Sequence, residues 1–125
     1  MKEVINLFYE DYLKALKTTK DHCLRLKSSI NEINKKINNK DDHFNYELYL
    51  ELELFGLKGL QHKLVASTYI LADSYIKISS VYDTLDENQQ KNINEYKKVL
   101  KLVKETNEKV THFIEDHTST KNNNL

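Results

Sequence analysis

The chain has 125 residues, enough for one domain with a real core. It has no proline, two glycines and 30% charged residues, which excludes a turn-rich sandwich or barrel. Its 19 basic and 19 acidic residues cancel, so no overall field draws the chain to nucleic acid or to an anionic membrane. Arg25 is the lone arginine among many lysines, asparagines and isoleucines. That bias suggests an AT-rich genome, and it removes the usual residue for bidentate phosphate recognition.

The first segment, from about Lys2 to Ile37, carries an unbroken heptad ladder. Ile5, Tyr9, Tyr12, Leu16, Thr19, Cys23, Leu26, Ile30, Ile33 and Ile37 are alternately four and three apart. A spacing averaging 3.5 is the seam of a helix that packs lengthwise against partners. Glu3, Glu10 and Asp11 interrupt the apolar start, which is wrong for a secretory h-region, and no apolar run is long enough to span a membrane. The expected location is the cytoplasm, with export by a signal-less route left open. Cys23 has no second cysteine to pair with and falls on the seam, where it reads as a small buried hydrophobe. The segment ends in Asn38-Asn39-Lys40-Asp41-Asp42. Asn suits a helix C-cap, and Asp41 or Asp42 suits the N-cap of the next helix.

The second segment runs from about His43 to Asp83. Tyr46, Leu48, Leu50, Leu52 and Leu54 alternate with mostly acidic residues, a strand period. A helix is expected nevertheless, because Leu and Glu are strong helix formers and no second strand exists for pairing. Beyond Gly56, Leu57, Leu60, Leu64, Leu71, Ile78, Val81 and Leu85 follow a helical period. A second stripe of Val65, Tyr69, Ala72 and Ile76 lies beside it and predicts burial on two sides. Gly56 and Gly59 mark where this helix can kink, approach a neighbour closely, or break to give four helices in all.

The third segment runs from about Asp86 to His117, with the ladder Ile93, Tyr96, Leu100, Val103, Asn107, Val110, Ile114 and His117. Thr84 with Glu87, or Asp86 with Gln89, offers a capping box at its start. Residues 118–125 are polar and read as a flexible tail, leaving 1–117 as a single helical domain. Short connections make neighbouring helices antiparallel. The predicted fold is therefore all-α: an elongated, antiparallel, coiled-coil-like three-helix bundle. Residues 14–40 hold eight basic and two acidic residues, while 41–55 hold five acidic and no basic ones. A hairpin would lay these complementary segments side by side.

Few residues suggest chemistry. The chain lacks the Glu-x-x-His motif of di-metal bundles; the reverse, His112-x-x-Glu115, offers two ligands where zinc needs three or four. No histidine follows Arg25 at the four-to-six-residue spacing of small helical ribonucleases. Gly-rich phosphate loops and zinc knuckles are absent as well. The expectation is a non-enzyme with no cofactor and no metal.

Two interaction surfaces remain. Helix one begins with more apolar residues than one stripe needs, and the up-down-up path brings it beside the end of helix two and the start of helix three. Phe8, Tyr9, Tyr12, Tyr75, Tyr82 and Tyr96 thus form an aromatic end expected to bind a protein partner or a second copy, since Tyr and Phe are enriched at interfaces. An adaptor, inhibitor or immunity-type protein would act this way. The alternative is a small nucleic-acid-binding subunit that uses Lys97, Lys101 and Lys104, which lie on one face of helix three, with Lys98 beside them. No membrane partner is expected.

Overall fold

The computed structural model describes residues 2–39 and 45–123, with side chains as far as 118. Asp41 and Asp42, the expected caps, and His43, the expected helix start, lie outside the described residues. Helix α1 spans Lys2–Asn38 and α2 spans Tyr46–Ser79. A 3-10 turn at Tyr82–Thr84 leads to α3 (Glu87–Asn94), which continues into α4 (Tyr96–Asn123). Among the described residues there is no strand, and the helices pack as a bundle. The Leu/Glu alternation of 46–54 is helical. Asn45 caps it, its side chain accepting from the Leu48 N–H. The cap differs from the one expected, but the mechanism is the same: a short side-chain oxygen satisfies one of the first four free N–H groups.

The path is up-down-up. Residue 12 of α1 lies beside 75 of α2 and 92–93 of α3, His22 meets Ser67, and Gln61 meets Asn107 and Thr111. α1 is about 55 Å long at 1.5 Å per residue. Helix α2 runs through Gly56 and Gly59 without interruption, so these glycines do not divide the bundle into four. The break lies instead at Glu95, where α3 meets α4 at a 22° bend. Glu95 N donates back to Asn92 O, a tightened last turn. The Tyr12 hydroxyl reaches the same turn, donating to the Asn92 and Ile93 carbonyls at 2.9 and 3.2 Å. A side chain inserted into the helix ladder is a recognised cause of a bend. The Asp86/Gln89 capping box starts α3, with both reciprocal bonds made. α4 stays helical to Asn123, into the stretch expected to be a tail.

The core follows the ladders. In α1, the seam from Tyr12 to Ile33 is buried throughout. Leu57, Leu64, Leu71, Ile78 and Leu85, each seven apart, are buried in turn. In the third segment the buried line is Ile93, Val99, Thr106, Val110 and Ile114. Leu100 and Asn107, expected on the seam, sit half-buried at its edge. The interior divides into two apolar clusters, one around Tyr12, Leu16, Leu71, Ile78 and Val99, the other around Leu26, Ile33, Leu57, Leu64 and Val110. Between them lies a polar waist with one residue from each long helix: Thr19, Ser67 and Thr106. Thr19 donates to Ala15 O, and Ser67 donates to Leu64 O. With that proton committed, His22 Nδ1 must be the donor in its 3.1 Å contact with Ser67 Oγ. The Thr106 hydroxyl faces the Cys23 thiol, a poor acceptor, and makes no hydrogen bond of good geometry. Cys23 is fully buried. Burial pushes its thiol up, while Thr106 and the charge of Lys27 act in the opposite direction.

Candidate functional site

The aromatic end is turned largely into the bundle. Tyr12 has no solvent exposure. Phe8, Tyr9, Tyr75, Tyr82 and Tyr96 are half-buried and pack on the cluster around it. Tyr75 and Tyr96 stack with ring centroids 3.8 Å apart, and Tyr12 tilts against Tyr75 at 6.4 Å. Their polar tips are also occupied. Tyr9 OH accepts from Asn92 Nδ2 at 2.7 Å, and Tyr82 OH accepts from Asn94 Nδ2 at 3.1 Å. The surplus of aromatics here closes the end of the bundle around the turn at 80–86. Burial, with smaller contributions from Glu95 and the neighbouring tyrosines, pushes the Tyr12 phenol far up. Tyr96 is raised by burial and by Tyr75. A phenol kept neutral in this way is a hydrogen-bond donor holding a turn, not an acid–base group.

Lys97, Lys98, Lys101 and Lys104 are all exposed along α4. A shallow cleft of ≈ 330 Å³ opens beside them, where Glu87, Lys91, Glu95 and Lys98 mix both signs of charge. Lys20, from the basic stretch of α1, reaches across to Glu95 at 3.3 Å. Both members of that pair are about 40% exposed (43% and 39%), a setting in which ion pairs contribute ~0–1 kcal/mol. His112 is exposed, and His117 Nδ1 donates to Phe113 O at 2.8 Å. Among the described residues no three His, Cys, Asp or Glu side chains gather as a metal site.

The surface left without a partner is on α2. Of ten exposed large apolar side chains among the described residues, seven lie on this helix: Leu48, Leu52, Phe55, Val65, Tyr69, Ile70 and Ile76. Phe55 is 79% exposed, Tyr69 72% and Ile76 68%. No family model, curated protein or solved structure matches this chain. The functional reading therefore rests on the surface itself. The second stripe of α2 was expected to be buried, but Val65, Tyr69 and Ile76 face outward. The reason is geometric: α1 and α4 both pack on the side carrying Leu57, Leu64 and Leu71, so none of the described helices reaches the opposite side.

A helix that is apolar all round requires burial all round, and this chain supplies only half. The exposed residues form a seam of their own. Leu48, Leu52, Phe55, Gly59, His62, Ala66, Tyr69, Asp73 and Ile76 are alternately four and three apart, and every one is exposed. A β-carbon added at Gly56 or Gly59 would meet nothing within 4 Å, so no contact inside the bundle explains either glycine. The second stripe is legible in the sequence as an apolar face, but periodicity does not say whether such a face meets this bundle or another chain.

Proposed function

We propose that this chain is a non-catalytic interaction module that binds another protein chain through a helical surface, and that the outer face of α2 is that surface. The observation that carries the reading is the concentration of seven exposed large apolar side chains on one helix, among them Phe55 and Tyr69. A contiguous patch of this kind on a monomer is costly to leave in water and typically marks a binding site. Aromatic anchors such as Phe55 and Tyr69 supply large contact area at low entropic cost. A cytoplasmic setting fits a chain whose lone cysteine is free, and no described helix is long and apolar enough to cross a membrane.

The second reading is a nucleic-acid-binding subunit. It draws on the exposure of Lys97, Lys98, Lys101 and Lys104 along one stretch of α4. Glu95, Glu105 and Glu108 flank the stripe and weaken its field on a chain with no net charge.

A photo-crosslinking residue in place of Phe55, introduced into the full chain in its native cell, separates the two. The expected result is a covalent adduct with protein, lost when Tyr69 and Ile76 are changed to Lys. No adduct, together with a steeply salt-dependent gel shift abolished by Lys97→Ala and Lys101→Ala, would replace this reading with the second.

A further inference from the structure

We infer that the chain that covers the outer face of α2 is a second copy of the same chain, packed antiparallel about a two-fold axis that passes beside His62. This rests on the reading that the face binds protein, and it names the partner.

The argument is the symmetry of the exposed seam. A two-fold interface is isologous: if residue i meets residue j, then j meets i. An antiparallel helix pair centred on His62 therefore matches positions whose numbers add to 124. Leu48 then faces Ile76 of the second copy, Phe55 faces Tyr69, and Gly59 faces Val65 with Ala66 beside it. Apart from Leu52 and Asp73, the exposed seam reads apolar, aromatic, small, His62, small, aromatic, apolar from either end. On the same sum Leu52 faces Ala72, and Asp73, itself engaged by Lys77 of its own helix at 3.2 Å, faces Glu51 in the one like-charge pairing. One opposite-charge pair agrees with the same axis. Glu47 falls opposite Lys77 of the second copy. The first third of α2 carries Glu47, Glu51 and Glu53 with no basic residue, whereas Lys58, Lys63 and Lys77 lie beyond it. A parallel pair would set like charges side by side and would lose the match of Phe55 with Tyr69.

The glycines fit as well. Gly59 sits next to the axis, where small side chains let two backbones approach closely, and no contact within its own bundle requires it. The available area suffices. At roughly 150–200 Å² for each fully exposed large side chain, the seven exposed apolar residues offer on the order of 800 Å² per copy, the standard amount for a stable interface. Face-on pairing of two helices at about 8–10 Å leaves α1 and α4 of each copy on the far side, clear of the axis.

The test uses the full chain. Cys23 is fully buried and can stay in place. Light scattering after gel filtration at micromolar concentration is expected to give twice the chain mass. Phe55→Glu, on a residue 79% exposed, should weaken dimerisation by on the order of 100-fold or more with helicity unchanged, because the two-fold axis counts each substitution twice. Mild oxidation of His62→Cys should yield a disulfide-linked dimer. Leu48→Cys alone should not, since antiparallel pairing holds its two copies about 42 Å apart, but an equal mixture of Leu48→Cys and Ile76→Cys should. Self-linking of Leu48→Cys would overturn the antiparallel arrangement. A monomer at all concentrations would overturn the second copy as partner. If the photo-adduct at Phe55 then contains a different protein, the binding-face reading survives; if no protein adduct forms either, both fail.

Discussion

The hydroxyl of Tyr12 touches two carbonyls that sit 80 and 81 residues further along the chain, and the ring of the same residue tilts against Tyr75 in the aromatic end. Removing only the oxygen isolates the polar part of that role. Tyr12→Phe keeps the ring but leaves the carbonyls of the bent α3–α4 turn to weaker partners in a buried place. The expected loss is about 1–2 kcal/mol of unfolding free energy, measured by urea denaturation with the m-value unchanged. The same residue sets an alkaline limit. Its folded pKa is raised above the ordinary 10.0, chiefly by burial, so above pH 10 the native state keeps a proton that the unfolded chain releases. Its stabilisation is complete below pH 10 and is lost as pH climbs toward the folded value, at up to about 1.4 kcal/mol per pH unit. Tyr12→Phe should therefore show a shallower fall of melting temperature above pH 10 than the wild-type chain. An identical alkaline slope in the two proteins would assign the effect to Tyr96 and Tyr49, whose phenols are also raised.

Among the elements, α2 is the one whose local sequence and tertiary setting disagree. Glycine inside a helix costs about 1 kcal/mol relative to alanine, and Gly56 has open space where a β-carbon would go. It also lies off the seam through Leu48, Phe55 and Ile76. Gly56→Ala is expected to stabilise the protein by about 1 kcal/mol, seen as a raised melting temperature with unchanged mass in solution. A loss of stability would mean that the backbone at 56 needs freedom that the helix does not display. The same element shows where sequence reasoning succeeds and where it stops. The α1 ladder was legible residue by residue, because a single unbroken stripe has only one way to face a core. The Asp86/Gln89 box was legible for the same local reason. The two stripes of α2 were visible too, but periodicity reports that a face is apolar without saying whose core it enters. The bend at Glu95 left no trace, since no local glycine or proline marks it and the hydroxyl that reaches this turn comes from eighty residues away. In α4, Val99 and Thr106 displaced Leu100 and Asn107 from the centre by one position. A helix offered two adjacent apolar lines turns to the one that packs best, and that choice is made by its neighbours.

At the scale of the whole molecule, the waist at Thr19, Ser67 and Thr106 raises the question of whether the two apolar clusters unfold together. Small polar residues there contribute little apolar burial, so beyond Val103, which packs on both clusters, the ends are joined by helix continuity. All three long helices run through both clusters, and interrupting a helix at its middle creates new unsatisfied ends, each with four free backbone groups. That cost falls on three helices at the same level of the bundle. Either cluster standing alone would have to offset that cost with its own burial, at about 1.5–3 kcal/mol for each fully buried leucine. One cooperative transition is therefore expected. The tyrosines give a local readout, because Tyr12, Tyr75 and Tyr96 all lie at one end. Leu64→Ala, in the opposite cluster, should cost about 2–5 kcal/mol and lower the tyrosine transition and the helix transition equally. Leu71→Ala, beside the tyrosines, should do the same. If Leu64→Ala melted the far end while the tyrosine signal kept its wild-type midpoint, the waist would be a boundary between two folding units, and continuity of the helices would not be enough to couple them.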